Sequence, residues 1–174
     1  LALRPDLAVE ELRGNVDTRL GRLAAGDFDA IVLAAAGLRR LGREGEIGFL
    51  LDPAELLPAA GQGTLVLQAS RGDTESRAAA AAISDPAALC ELVAERALVG
   101  ALEADCDTPV GARAHFAPAA APTLELSAYV GREDGSDWLR DSLTGSAEDP
   151  DTLGRNLAER LLAAGAAQIL GRTA

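Results

Sequence analysis

Two hydrophobic rhythms divide this chain. Over residues 7–42, short apolar runs are each followed by a helical pattern. Leu7–Leu12 reads as a strand, Asn15 as an N-cap, and residues 16–25 as a helix with Val16, Leu20 and Leu23 on one face. Asp29–Ala34 reads as a second strand, whose unbroken Ala30–Ala34 run suits burial on both faces. A short helix through Leu38–Leu41 stops at Gly42. This βαβα order implies a parallel sheet.

Residues 45–63 lose periodicity and are broken by Pro53, Pro58 and the Gly61-Gln62-Gly63 triplet. Thr64–Gln68 then reads as another strand, and the Ala-rich stretch Asp73–Ile83 as a helix. Asp85 and Pro86 open a further helix running to about Ala104, with Leu89, Leu92, Val93 and Val99 as its expected packing stripe and Cys90 at the edge as a structural thiol. From there the rhythm changes. Val110–Phe116, Leu124–Val130 and Trp138–Leu143 alternate as strands, and Glu133–Ser136 makes the hairpin turn between the last two. A closing helix spans Asp151–Ala164 with Leu153, Leu157 and Leu161 on one face and Gly165 as its stop. This half predicts an α+β module with a three-stranded antiparallel sheet and helices on one face.

With 48% hydrophobic and 25% charged residues in 174, the chain can build a real core. The net charge of -11 argues against a nucleic-acid partner, because phosphate binding needs clustered positive charge. Charge is unevenly spread, however. Residues 1–43 hold seven arginines against six acids, a balance of +1, leaving -12 on the remainder. No apolar run reaches transmembrane length and the start lacks a signal-peptide layout, so the expectation is no membrane partner and a cytoplasmic location with reduced thiols. The abrupt start, without Met, reads as a piece of something longer.

Two features carry candidate chemistry. In parallel α/β sheets ligands sit beyond the strand ends, beside helix N-termini. Arg13, Arg19, Arg39 and Arg40 fall at such junctions, and guanidinium forks hold carboxylates in two-pronged fashion. The residues alone leave another reading open, in which these arginines are solvated partners of Asp17, Asp27 and Asp29. The second feature is Cys106, where a helix stops between Asp105 and Asp107. Taken alone, it reads equally as an inert small hydrophobe. Cys90, Cys106 and His115 do not make a zinc ligand set, and His115, Phe116, Tyr129 and Trp138 read as sheet residues. No dinucleotide, Walker, zinc-protease or serine-elbow motif occurs.

Five blocks change the balance. Residues 12–20 (LRGNVDTRL), 29–42 (DAIVLAAAGLRRLG), 57–63 (LPAAGQG), 94–97 (AERA) and 102–111 (LEADCDTPVG) resemble, in order, successive blocks of the porphobilinogen deaminase (hydroxymethylbilane synthase) family. The resemblance implies a transferase of tetrapyrrole (heme) biosynthesis that joins four porphobilinogen units head to tail into hydroxymethylbilane, releasing ammonia at each step. Growth in the family occurs on a dipyrromethane cofactor held by a cysteine thioether, and Cys106 occupies that position. Porphobilinogen that has lost ammonia is an electrophile, which a thiolate can capture. A thioether also resists thiol exchange in a reducing compartment. Arg13, Arg19 and Arg40 match positions that hold the acetate and propionate groups of the oligopyrrole, and Gln62 matches a further cofactor-site position. Arg39 matches a position that varies among basic residues. The resemblance implies no metal.

By the same resemblance, residues 1–62 belong to a second α/β domain with a periplasmic-binding-protein-like parallel sheet, incomplete in this chain. Residues 63–84 form a crossover strand and helix returning to a first domain, and residues 85–174 form the C-terminal α+β domain carrying the cofactor cysteine. The catalytic aspartate of the family belongs to an N-terminal domain with no counterpart among these blocks. The expectation is therefore a chain inactive by itself, prone to self-association through unpaired strands, although the full-length family form is a monomer. Ala104 and Asp105 stand where the family has two glycines, and Asp105 and Asp107 place negative charge beside the thiol. Two rival readings remain: a carboxylate-binding module of periplasmic-binding type that uses the arginines without a cofactor, and a structural domain with inert thiols.

Overall fold

A computed structural model describes residues 1–172. Its longer helices begin at side-chain caps, which satisfy amide donors that no helical carbonyl can reach. Asn15 accepts from the Thr18 amide at 2.9 Å and opens α1 (Val16–Ala24). The helix α2 (Ala35–Arg40) lacks a side-chain cap. Asp73 caps α3 (Thr74–Ala82), Asp85 caps α4 (Pro86–Ala101) and Asp149 caps α5 (Pro150–Ala163), and Pro86 and Pro150 lie in the first turn, where proline costs no hydrogen bond. A last short helix, α6 (Ala166–Ile169), follows Gly165, whose φ of 107° terminates α5; the residue pattern predicts the stop but not the extra turn.

The chain divides into two compact units. The smaller, Asp6–Asp52, contains α1, α2 and a 3-10 turn at Glu44–Glu46, with Leu20 and Leu38 as its buried residues. Arg43 ties it together by pairing with Asp17 and with Glu46. The larger unit comprises Leu1–Pro5 and Pro53–Ala174.

In the larger unit β1 (Val110–Phe116), β2 (Thr123–Gly131) and β3 (Trp138–Ser146) form an antiparallel sheet in that order. The register follows from the hydrophobic alternation: Leu124, Leu126, Ala128 and Val130 of β2 are fully buried, while Glu125, Ser127 and Tyr129 point the other way. The helices α4, α5 and α6 cover the apolar face with Leu98, Leu102, Leu157, Leu161 and Ile169. The opposite face carries Tyr129 stacked on Trp138, ring centroids 6.0 Å apart. The Arg160–Asp141 pair at 2.9 Å links α5 to β3. An edge strand leaves amide donors unpaired, and in β1 they are taken up locally. Ala112 donates to the Pro58 carbonyl at 2.9 Å and Ala114 to the Glu95 carboxylate at 2.8 Å.

Three expectations are corrected. No strand forms over residues 7–12, 29–34 or 64–68, so the parallel sheet does not occur among the described residues. A strand exists only as part of a ladder, and no described segment pairs with these; Val32, Leu65 and Val66 are left largely exposed. The packing stripe of α4 is Ala94, Leu98 and Leu102 with Cys90 alongside, whereas Leu89 is exposed and Leu92 and Val93 are half-buried. Both stripes have helical spacing, and only the position of the sheet selects between them. Finally, α4 ends at Ala101 rather than near Ala104. Glu103 adopts φ 51°, its amide bonds to Gly100 and the Ala104 amide returns to the Val99 carbonyl, which is a Schellman stop with glutamate where glycine is usual. Arg172 donates to the Leu102 and Glu103 carbonyls, covering the helix end.

Candidate functional site

The Schellman stop releases the chain into a loop that carries Cys106 outward. The thiol is exposed, and the loop around it is closed by its own side chains. The Thr108 hydroxyl donates to an Asp105 carboxylate oxygen at 2.6 Å and accepts from the Asp105 amide at 3.0 Å, and the Asp107 amide donates to the same carboxylate at 3.2 Å. The Thr108 hydroxyl and the Asp107 amide hold the Asp105 carboxyl below its ordinary value. Asp105 is therefore used to shape the turn. The loop enters β1 through Pro109, whose carbonyl accepts from Gly131 at 3.1 Å. Gly111 lies so close to Leu57 that a Cβ there would meet it at 3.0 Å.

Gln62 lies in the same unit on an exposed turn. Its side-chain oxygen accepts from the Ala59 amide at 3.2 Å, its own amide donates to the Ala59 carbonyl at 3.1 Å, and the flanking Gly61 and Gly63 take φ of 70° and 86°. Such positive values favour glycine, which lacks the Cβ clash. Gln62, Thr64, Glu91, Glu95 and Arg113 line a pocket of about 160 Å³. Arg113 makes no ion pair there among the described residues.

The arginines belong to the smaller unit. Arg13, exposed, grips Glu11 through Nε and Nη2 at 2.8 and 3.1 Å. Arg19, one turn into α1, donates to the Gly14 carbonyl at 2.8 Å; both therefore flank the Gly14–Asn15 entry to the helix. Gly14 has φ 118°. Arg39 and Arg40 end α2, and their side chains make no hydrogen bond or ion pair among the described residues. Arg22 and Arg43, by contrast, are engaged by acids. Of the predicted residues, then, Cys106 and Gln62 fall in one unit and Arg13, Arg19 and Arg40 in the other.

One residue escapes a sequence reading. Glu95 is only 9% exposed and its carboxylate accepts from two backbone amides, Gly61 at 2.6 Å and Ala114 at 2.8 Å. A glutamate in a helix reads as solvated surface, and the only available signal was its place in the 94–97 block. Cys90 sits half-buried with its S–H directed to the Ala147 carbonyl at 3.2 Å. His115 lies on the outer sheet face with Nε2 4.0 Å from Glu125. No metal-binding cluster occurs among the described residues, and none of their helices is long and apolar enough to cross a membrane.

Fold and candidate residues define the class: an α/β protein with an exposed, loop-held thiol in one unit and, in the other, arginines of which Arg39 and Arg40 have no acidic partner among the described residues. Comparison with known proteins is specific. The family model described as "Porphobilinogen deaminase, dipyromethane cofactor binding domain" matches residues 1–78, and "Porphobilinogen deaminase, C-terminal domain" matches residues 89–163. Curated relatives include the porphobilinogen deaminases of Acidothermus cellulolyticus, 45% identical over 97% of this chain and 51% of theirs, and of Roseiflexus castenholzii, 48% identical over 97% and 54%. That of Thermus thermophilus is 44% identical over 99% of this chain and 56% of its own. The chain belongs to the porphobilinogen deaminase family, and it spans about half the length of the curated relatives it matches.

Proposed function

We propose that this chain is the cofactor-bearing portion of a hydroxymethylbilane synthase, a cytoplasmic transferase acting on porphobilinogen and oligopyrrole intermediates. The observation that carries this reading is an exposed Cys106, in a loop braced by Thr108, at the position of the family's attachment motif. The residues present fit a dipyrromethane. An accessible thiol suits a thioether, and unpaired Arg40 suits carboxylates, as do Arg13 and Arg19 once their present partners are exchanged. The covalent group would supply a nucleophilic pyrrole terminus for chain extension. Cys106 would anchor it, Arg13, Arg19 and Arg40 would orient its acidic substituents, and Gln62 would contribute an amide at the turn. No residue of the chain is assigned as the catalytic acid.

In the same proposal residues 1–62 contribute to a periplasmic-binding-like α/β domain, 63–84 to a crossover and 85–174 to the cofactor-carrying domain. Uncovered apolar side chains at Val32 and Leu65–Leu67 favour self-association of the isolated chain. Sedimentation giving one concentration-independent monomer would refute that part.

Intact mass after incubation with porphobilinogen tests the central claim. The expected result is a dipyrromethane adduct on the chain, without turnover to hydroxymethylbilane, that disappears in Cys106→Ser. An adduct that persists in Cys106→Ser refutes the assignment. So does carboxylate-ligand binding with no adduct and no dependence on Cys106.

A further inference from the structure

Glu95 holds together three segments that are distant in sequence. It stands on α4, Ala114 on β1, and Gly61 in the turn that presents Gln62. The turn closes on itself through Gln62–Ala59 and Thr64–Gly61 bonds, so its internal shape is local. Its placement is not. That depends on anchors to the domain, namely Pro58 to Ala112 and Gly61 to Glu95.

Burying a carboxylate is unfavourable unless its oxygens are hydrogen-bonded, and an apolar residue of similar size would serve packing at least as well. What an apolar residue cannot do is fix two amides from different segments at a set spacing. Each oxygen takes one donor here, Oε2 from Gly61 at 2.6 Å and Oε1 from Ala114 at 2.8 Å. The turn is also confined sterically: a Cβ on Gly61 would come within 3.0 Å of Leu92 on the same helix. Glu95 and Gln62 line the same pocket.

We propose that Glu95 is a positioning residue for Gln62: its carboxylate, shared between the Gly61 and Ala114 amides, sets the backbone from which Gln62 meets an acidic pyrrole ligand. The ligand part of this inference rests on the function proposed above. The clamp itself rests on geometry alone.

Glu95→Gln keeps the size but leaves one acceptor oxygen and an NH2 facing a second donor, so one of the two bonds must break. In the full chain, amide hydrogen exchange at Gly61 or Ala114 is expected to accelerate about tenfold or more, as local opening becomes easier. Calorimetric titration with porphobilinogen, on the original chain, Glu95→Gln, Gln62→Ala and the double variant, supplies a readout that a merely structural role would not move. Glu95→Gln is expected to weaken binding several-fold, and to add nothing further in the Gln62→Ala background. Additive losses would overturn the positioning role. Unchanged exchange at both amides would overturn the clamp by itself. Unchanged binding on Gln62→Ala would instead overturn the functional reading of Gln62, and with it the purpose assigned to the clamp. Should Glu95→Gln not fold, Glu95→Asp, which keeps the charge but is one methylene short, carries the same tests with the same deciding outcomes.

Discussion

The Cys90 thiol points at the Ala147 carbonyl oxygen, 3.2 Å away, whereas Cys106 faces solvent. Burial, with the Glu91 charge beside it, pushes the Cys90 thiol up from its ordinary value. The thiolate is the reactive form, so the two cysteines should separate kinetically. Iodoacetamide at mildly alkaline pH, followed by peptide mapping, is expected to modify Cys106 about tenfold or more faster than Cys90 in chain free of adduct. Equal rates would mean that the Ala147 contact opens readily. A chain already carrying a thioether at Cys106 would be protected there, so the same map reads occupancy.

Gly154 lets α5 pack directly against the α4 backbone. A Cβ there would lie 2.3 Å from the Ala94 carbonyl oxygen and 2.8 Å from the Leu98 nitrogen. Replacing a helical glycine by alanine ordinarily gains about 0.5–1 kcal/mol. Overpacking costs about 1–3 kcal/mol, and here the colliding atoms are α4 backbone and the Ala97 Cβ, which can yield only by separating the helices. Gly154→Ala should therefore destabilise. Gly100→Ala, at an exposed position in α4 with nothing within 4 Å of its Cβ, should stabilise. Urea unfolding of both variants checks the opposite signs; two changes of the same sign would contradict the packing argument.

Three aspartates make the fold acid-sensitive. The Ser76 amide holds Asp73 below its ordinary value, the Thr108 hydroxyl does so for Asp105, and the Ser136 hydroxyl for Asp134. In each case the folded value lies below the unfolded one of about 3.9, so the unfolded chain binds protons first as pH falls. Their contribution is complete above that value and is lost as pH drops through the lower folded values. Thermal melting should hold level above about pH 5 and decline below about pH 4. Asp105→Asn, which no longer titrates, should flatten that decline; an unchanged acid slope would show that the Thr108 bond has no energetic weight.

Much of the architecture was legible because it rests on local chemistry. Asn15 and Asp85 cap helices by reaching amides two or three residues on. The strands Val110–Phe116, Thr123–Gly131 and Trp138–Ser146 follow their own alternation, and Asp134 closes the hairpin turn by accepting from Ser136. The site was legible in part, as a motif. Cys106, Gln62 and the arginines are picked out by their resemblance to family blocks, and the structure adds that Cys106 is exposed.

The sequence by itself determined the caps at Asn15 and Asp85, the antiparallel hairpins and the order of the family's blocks. Each of these depends on residues close along the chain, or on a pattern read without coordinates. Only the tertiary structure decided which face of α4 is core, because Leu89 and Leu98 are equally apolar until the sheet covers one side. It also decided that residues 7–12, 29–34 and 64–68 stay unladdered, since a strand depends on a neighbour that no local pattern supplies. And it gave Glu95 its place, buried between Gly61 and Ala114, because a charge becomes an internal clamp only when distant segments bring their amides to it.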